Sequence, residues 1–447
     1  MAWLKKLGYF YNIAKGGESI SNQMSHLIVG VLSGLPGFAV SLRVGIGFYL
    51  SAVLELPAGV FADVFGHRRT LVYGYAICSL ASLFLFLSCH YSQIPASLTL
   101  LVVSSSLSAF GGALVSGCLQ AFIQDFIDLQ VSKSGLQGEE AKELRTKALA
   151  RSQAYGNFFS AFLPVLVLAS VFGNYYLTHH SEWSLLIPVV VYGGLSTLFF
   201  FTKIEEKTSS KSHNAFRRHC HEYGQRLVLF TSELRQREST ERIRFLLTLL
   251  RIVLSILTVI HVHTYLMVSQ LRQIGLRDGS WHVVLMGFLV LAAFDFAHYP
   301  KGWIAPAVSR RFNAGQLIYF SLIAQILLAL LALVCFRSGY PIAAVMGFAL
   351  FFNALYSPGN MTLQSKFLVE VPDHLRATVF SVVQIIVLIA YGSYSALLTA
   401  NGTGVDSPDR IFIQLMVLAG IVMILTIVCD AIEFKGASRV SLDDAQA

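Results

Sequence analysis

Charge is scarce in this chain. Of its 447 residues only 13% are Asp, Glu, Lys or Arg, against about 25% in a typical soluble domain. Hydrophobic residues make up 55% and the mean hydropathy is +0.63, so a large water-soluble core is excluded. The six Cys are scattered, mostly inside apolar runs, without paired spacing, and imply no disulfide framework. Only Cys89 falls near an end expected outside. No nucleophile motif, nucleotide loop or metal set is present. That leaves a membrane-embedded enzyme built on Asp295 and His298 as a remote alternative, and no cofactor is expected. His213, His219, Cys220, His221 and Glu222 crowd together but match no zinc spacing, and read as a basic solvated loop. The opening MAWLKKLGYF is too short in its apolar part for a signal peptide.

What the chain does have is long apolar runs. Crossing about 30 Å of hydrocarbon takes about 20 apolar residues per helix. Twelve runs qualify, at 21–40, 44–63, 70–89, 97–124, 148–172, 184–202, 246–268, 282–305, 316–336, 342–365, 377–399 and 410–430. The fold class is all-α, spanning the membrane twelve times. Net charge is +8 and the isoelectric point about 9.1, but the placement of charge argues against nucleic acid as the partner. Most of the 33 Lys and Arg fall in the loops that are cytoplasmic if the N-terminus is cytoplasmic. By the positive-inside rule both termini then lie inside a cell membrane, with a bacterial inner membrane the expected setting.

The spans divide six and six around a polar stretch at 203–245, which holds ten of the Lys and Arg. The expected organisation is a six-helix bundle at 1–202, a cytoplasmic linker at 203–245 and a second bundle at 246–447. Phe216, Tyr223, Leu227, Phe230 and Leu234 recur at helical spacing, so the linker should carry an amphipathic helix lying against the inner membrane face. The halves repeat each other weakly. Glu55-Leu-Pro57-Ala-Gly59 aligns with His298-Tyr-Pro300-Lys-Gly302, and Ala113-Leu-Val-Ser116 with Ala354-Leu-Tyr-Ser357. Leu144-Arg145 and Gln153 align with Leu375-Arg376 and Gln384. Gly30 to Gly34 is a small-residue packing contact.

The densest signal is GVFADVFGHRRTL, Gly59 to Leu71. Gly59, Asp63, Gly66, Arg68 and Arg69 make a tight, charged connection between two spans. The run resembles the helix 2–3 loop of the major facilitator superfamily, with His67 at a position that is often basic. Ser116-Gly-Cys-Leu-Gln120-Ala-Phe-Ile-Gln-Asp125 and Glu55-x-Pro57-x-Gly59 resemble runs of a bacterial branch of that superfamily. Arg376-Ala-Thr378 with Ser381 resembles the start of its helix 11. The resemblance implies two parallel six-helix repeats and alternating access to a site near the midplane. In the second repeat the loop motif keeps only Arg310 and Arg311. The Gly-Pro-x-x-Gly-Gly run of proton-driven drug antiporters is absent from span five, which has Gly156 and Pro164 only. The arginine often found midway along helix 4 is absent too.

Glu55 in span two, and Asp295 with His298 in span eight, are titratable groups inside apolar runs. They are candidates for proton coupling; the alternative is hydrogen bonding to backbone broken at Pro57 and Pro300. Asp63, Arg68, Arg69, Asp125, Arg151 and Arg376 gather at the inner boundary. They read as a gate latch whose charges pair and part, or as static anchors of helix ends; the resemblance places Asp63 close to Arg376. It also makes helices 1, 4, 7 and 10 the cavity lining. On that basis His26, Gln120, His261, His263, Tyr265, Asn353, Tyr356, Asn360 and Gln384 are substrate-cavity candidates. Such a cavity is neutral and aromatic and suits a bulky or mixed-polarity organic solute rather than a phosphate ester. The expected task is proton-antiport efflux of a drug, siderophore or metabolite, with proton-linked nutrient uptake as the alternative. The expected partners are the solute, protons and membrane lipid, and the chain is expected to act as a monomer.

Overall fold

A computed structural model describes residues 38–91, 93–133, 181–202, 231–266, 268–270, 314–370, 376–400 and 408–444. It also describes single residues between them, at 13, 14, 17, 18, 21, 24, 25, 28, 29, 35, 169, 173, 174, 177, 221, 224, 225, 228, 229, 286, 289 and 290. The described elements are helical. They are α1 (Phe38–Phe65), α2 (His67–His90), α3 (Ile94–Lys133), α4 (Leu186–Phe201), α5 (Ser239–His261), α6 (Ala314–Arg337), α7 (Pro341–Glu370), α8 (Arg376–Ala400) and α9 (Pro408–Asp444). They correspond to spans two, three, four, six, seven and nine to twelve. Among the described residues six helices are long and apolar enough to cross a membrane.

Several helices outrun their apolar spans. The fourth run was expected at 97–124, yet α3 continues to Lys133. Gln120, Gln124, Asp125 and Asp128 end the apolar run without ending the helix, because Gln is a good helix former and Asp, though weaker, does not break one. By the same logic α9 continues to Asp444. Pro57 sits inside α1 without ending it.

The chain divides into two compact units. One comprises Met1–Cys220, Leu271–Tyr299 and Leu388–Val405; the other His221–Gln270, Pro300–Val387 and Asp406–Ala447. In the first, α2 and α3 cross closely because both carry glycine at the crossing. A Cβ on Gly74 would lie 2.7 Å from Val115 Cγ2, and one on Gly111 would lie 2.6 Å from Cys78 Sγ. Small residues replace the hydrophobic drive that helices lack inside lipid. Tyr75, Phe122, Tyr192, Leu195 and Phe199 then fill the interior beside α4. The rings of Tyr75 and Phe199 stack at 5.6 Å, and Phe122 meets Phe199 edge-on at 5.5 Å.

The second unit has an aromatic ladder on α7. Phe348 stacks on Phe352 at 5.2 Å, Phe352 on Tyr356 at 4.9 Å, and Phe412 of α9 meets Phe348 at 5.4 Å. At the foot of α7, Gly359 N–H donates to Ser321 Oγ of α6 at 3.0 Å. A side chain on Gly359 would overlap that hydroxyl. Large apolar side chains point away from protein, among them Val190, Phe200, Phe201, Leu331 and Ile424, each more than half exposed. Lipid is the solvent that such faces fit.

Of the expected linker helix, residues 231–236 are helical and Leu234 is half-buried. Phe216, Tyr223, Leu227 and Phe230 lie outside the described residues, as do most of spans one, five and eight.

Candidate functional site

The charged turn is built as its residues demand. α1 ends at Phe65 and α2 begins at His67, leaving one residue to reverse the chain. That residue is Gly66, with φ 89° and ψ 147°, in the region where a side chain would strain the backbone. Gly59 and Asp63 occupy the last two turns of α1. Arg68 reaches across to α4, and its Nη1 donates to Thr202 O at 2.6 Å. Thr202 caps the C-terminus of α4, where free carbonyls concentrate partial negative charge, so the guanidinium sits at a favoured place. Arg69 is exposed. Arg68 is thus tied to the end of α4. Asp125 lies on α3 and Arg376 is the first residue of α8; Arg151 lies outside the described residues.

Two of the sequence runs meet at Glu55. Ser116 Oγ on α3 donates to Glu55 Oε1 on α1 at 3.0 Å and leans toward Ala113 O at 3.3 Å. Glu55 is half-buried and two residues before Pro57, whose missing N–H removes one intrahelical hydrogen bond. A carboxyl held by one hydroxyl retains acceptor capacity, and when protonated it gains a donor. That is the chemistry a proton-exchanging group needs. Sequence reasoning named Glu55 and quoted Ser116, but at a separation of 61 residues nothing joined them. Asp295 and His298 lie outside the described residues.

At its other end α1 packs against the second half of α8, within the first unit. Tyr49 Oη and Ser393 Oγ lie 2.8 Å apart. Ser393 already donates to Ile389 O at 2.8 Å, so Tyr49 is the donor. Phe48 meets Tyr391 edge-on at 4.9 Å. Glycines let the two backbones approach: Gly392 faces the Tyr49 ring, and a Cβ there would sit 3.2 Å from it. These residues join the second span to the eleventh, and sequence reasoning missed all of them. The one available signal was Gly45, which faces Gly392 and Ser395.

Several cavity candidates form ties between helices. His261 Nε2 donates to Gln414 Oε1 of α9 at 2.9 Å, and its ring lies 5.5 Å from that of Tyr265. Tyr356 Oη donates to Ser255 O of α5 at 3.0 Å. His263 lies in a π-helical turn, Val262–Leu266, that follows α5. Such turns widen the helix and recur at functional positions. Gln120 lies on α3, Asn353 and Asn360 on α7 and Gln384 on α8, while His26 lies outside the described residues. Among the described residues no three His, Cys, Asp or Glu come together in a way that could hold a metal.

The Major Facilitator Superfamily profile matches residues 20–393. Among curated proteins none matches the chain. Among solved structures, the nucleoside transporter NupG is similar with a TM-score of 0.65 and 12% identity, over 97% of this chain and 99% of that one. A D-xylose-proton symporter is similar with a TM-score of 0.62 and 12% identity, over 94% and 96%. The peptide transporter POT in complex with alafosfalin gives 0.58 and 15%, over 96% and 94%. At such identities the likeness is one of fold. With twelve spans, a matching charged turn and a profile match over most of its length, the chain belongs to the Major Facilitator Superfamily and is a multi-pass membrane transporter rather than an enzyme.

Proposed function

We propose that this chain is a proton-coupled secondary transporter of a bulky or mixed-polarity organic solute, and that it works as a monomer. Its two six-helix bundles, 1–202 and 246–447, alternate access to a site near the midplane. Both termini face the cytoplasm of a bacterial inner membrane. The observation that carries the coupling is the Glu55–Ser116 pair at 3.0 Å. It is a carboxyl inside an apolar span with a partner that suits either protonation state. An unpaired charge at the bilayer centre costs about 2.5–3.5 kcal/mol even on insertion scales. Glu55 is therefore driven to be protonated or paired, and substrate arrival can shift which. In the second half His298 is the counterpart of Glu55, with Asp295 three residues before it.

Export, by proton antiport, is the first reading; Glu55-x-Pro57-x-Gly59 and the run from Ser116 to Asp125 resemble a bacterial branch of the superfamily. The second reading is uptake by proton symport. It is supported by the similarity to a structure described as a D-xylose-proton symporter, and by the loss of the drug-antiporter run from span five.

The test uses purified protein in liposomes enclosing a pH-sensitive dye. Nucleosides, pentoses, short peptides and hydrophobic amines are added one at a time. Protons should move only with a transported solute, inward with it for symport and outward against it for antiport. Solute flux without any proton movement would overturn the coupling.

A further inference from the structure

The end of α2 opposite the charged turn carries two groups that the proposed mechanism does not use. His90 is the last residue of α2, and Glu182 lies in the 3-10 turn Ser181–Leu185 that leads into α4. His90 Nδ1 and Glu182 Oε1 stand 3.7 Å apart. That is too long for a hydrogen bond. It is close to the separation of roughly 3.3–3.5 Å that a tetrahedral zinc ion imposes on a nitrogen and an oxygen at its usual bond lengths. Side-chain exposure is 48% for His90 and 16% for Glu182, so an ion can reach them from water.

Neighbours fix the imidazole. Phe86, one turn earlier, stacks on it with centroids 5.5 Å apart, and Trp183 meets it edge-on at 6.1 Å. A ligand whose ring is already packed loses little freedom on binding. Asn174 Nδ2 donates to Ser184 Oγ at 3.3 Å, which ties the chain before the turn to the turn itself. Among the described residues no third His, Cys, Asp or Glu completes a metal-sized group. The sequence holds two more imidazoles close by. Thr178, His179 and His180 join Leu177 to Ser181 and lie outside the described residues. His180 and His179 precede Glu182 by two and three residues. At no more than about 3.6 Å per residue, their Cα atoms lie within about 7 and 11 Å of its own.

We propose that His90 and Glu182 bind a divalent transition-metal ion of the zinc class, with His179 and His180 completing its shell. The donor chemistry selects the ion. Imidazole nitrogens with one carboxylate suit Zn²⁺, whereas Mg²⁺ and Ca²⁺ take oxygen donors. The ligands come from α2 and from the turn before α4, so the ion staples the ends of spans three and six inside one unit. On the orientation proposed above, this end faces outside the cell. Binding of the ion depends neither on that orientation nor on the transported solute.

The test titrates Zn²⁺ into the full chain, untagged, chelator-washed and in detergent, by calorimetry, with Mg²⁺ as the control. Zn²⁺ should bind and raise the melting temperature, and Mg²⁺ at the same concentration should do neither. His90→Gln, Glu182→Gln and the double variant His179→Gln with His180→Gln should each weaken Zn²⁺ binding more than about tenfold, since losing a ligand costs at least as much as losing the neighbour that orients it. Any zinc held by His213, His219 and His221 of the linker is common to all these proteins and cancels. Zn²⁺ affinity unchanged by His90→Gln or Glu182→Gln would overturn the proposal, as would affinity unchanged by the loss of both His179 and His180. The melting temperature of the unaltered chain needs no variant, so a misfolded mutant leaves that arm intact; no rise with Zn²⁺, or an equal rise with Mg²⁺, would equally overturn it.

Discussion

A disulfide between α1 and the second half of α8 tests whether that contact opens during transport. A Cβ at Gly45 would lie 3.4 Å from Ser395 Cβ, just under the ~3.5–4.5 Å that disulfides span. Reaching their mean of about 3.8 Å needs a shift of roughly 0.4 Å. Gly45→Cys with Ser395→Cys, in a background without the six native Cys, should therefore cross-link under mild oxidation. The native contact is weak enough to open. The Tyr49–Ser393 hydrogen bond contributes about 0.5–1.5 kcal/mol, and the Phe48–Tyr391 edge contact a similar amount. Together they come to roughly 1–3 kcal/mol, which thermal fluctuation overcomes many times a second, whereas a covalent bond holds. The assay compares solute flux into liposomes before oxidation, after it, and after reduction. Flux should fall more than about tenfold on cross-linking and return on reduction, with Gly45→Cys alone unaffected. Cross-linked protein that transports at the uncross-linked rate would refute the claim that α1 and α8 must part.

Arg68→Gln removes a charged donor from the end of α4, and should lower stability by about 1.5–3 kcal/mol, seen as a reduced melting temperature of the purified protein. Asp63→Asn should instead reduce transport far more than solute binding, because it biases conformations rather than touching a ligand; a parallel loss of affinity would count against the latch. Gly74→Leu forces bulk into the α2–α3 crossing and should cost roughly 1–3 kcal/mol or more by overpacking, measured as lost yield of folded protein. Single cysteines at positions 92, 178, 275 and 403 should react with an impermeant reagent from outside, and those at 135, 212 and 440 should not. The reverse pattern would overturn the charge-based orientation.

The sequence made local order legible and left distant pairing hidden. The apolar runs at 70–89 and 316–336 lie within α2 and α6, since hydrophobic length and helix length share one cause, the thickness of the bilayer. The turn at Gly66 was legible because only glycine suits its backbone. Helix extensions beyond the apolar runs were not, because polar residues can continue a helix without any hydropathy signal. The pairing of Glu55 with Ser116, and of Tyr49 with Ser393, depends on how helices pack. Residue type at either end carries no trace of the other. His261 and Tyr356 are cavity candidates through the resemblance alone, and each is engaged by a neighbouring helix, at Gln414 and Ser255 in turn. A polar side chain within a bundle needs a partner, and sequence does not say whether helix or solute supplies it.

Glu55 decides the central claim. Glu55→Gln keeps the size of the side chain and an acceptor for Ser116 but removes the exchangeable proton. In liposomes the variant should lose accumulation driven by a pH gradient while retaining counterflow, which exchanges solute for solute without net proton movement. That split, measured with the same preparation and one transported solute, is the result the account predicts. Gradient-driven accumulation at the rate of the unaltered protein would contradict it.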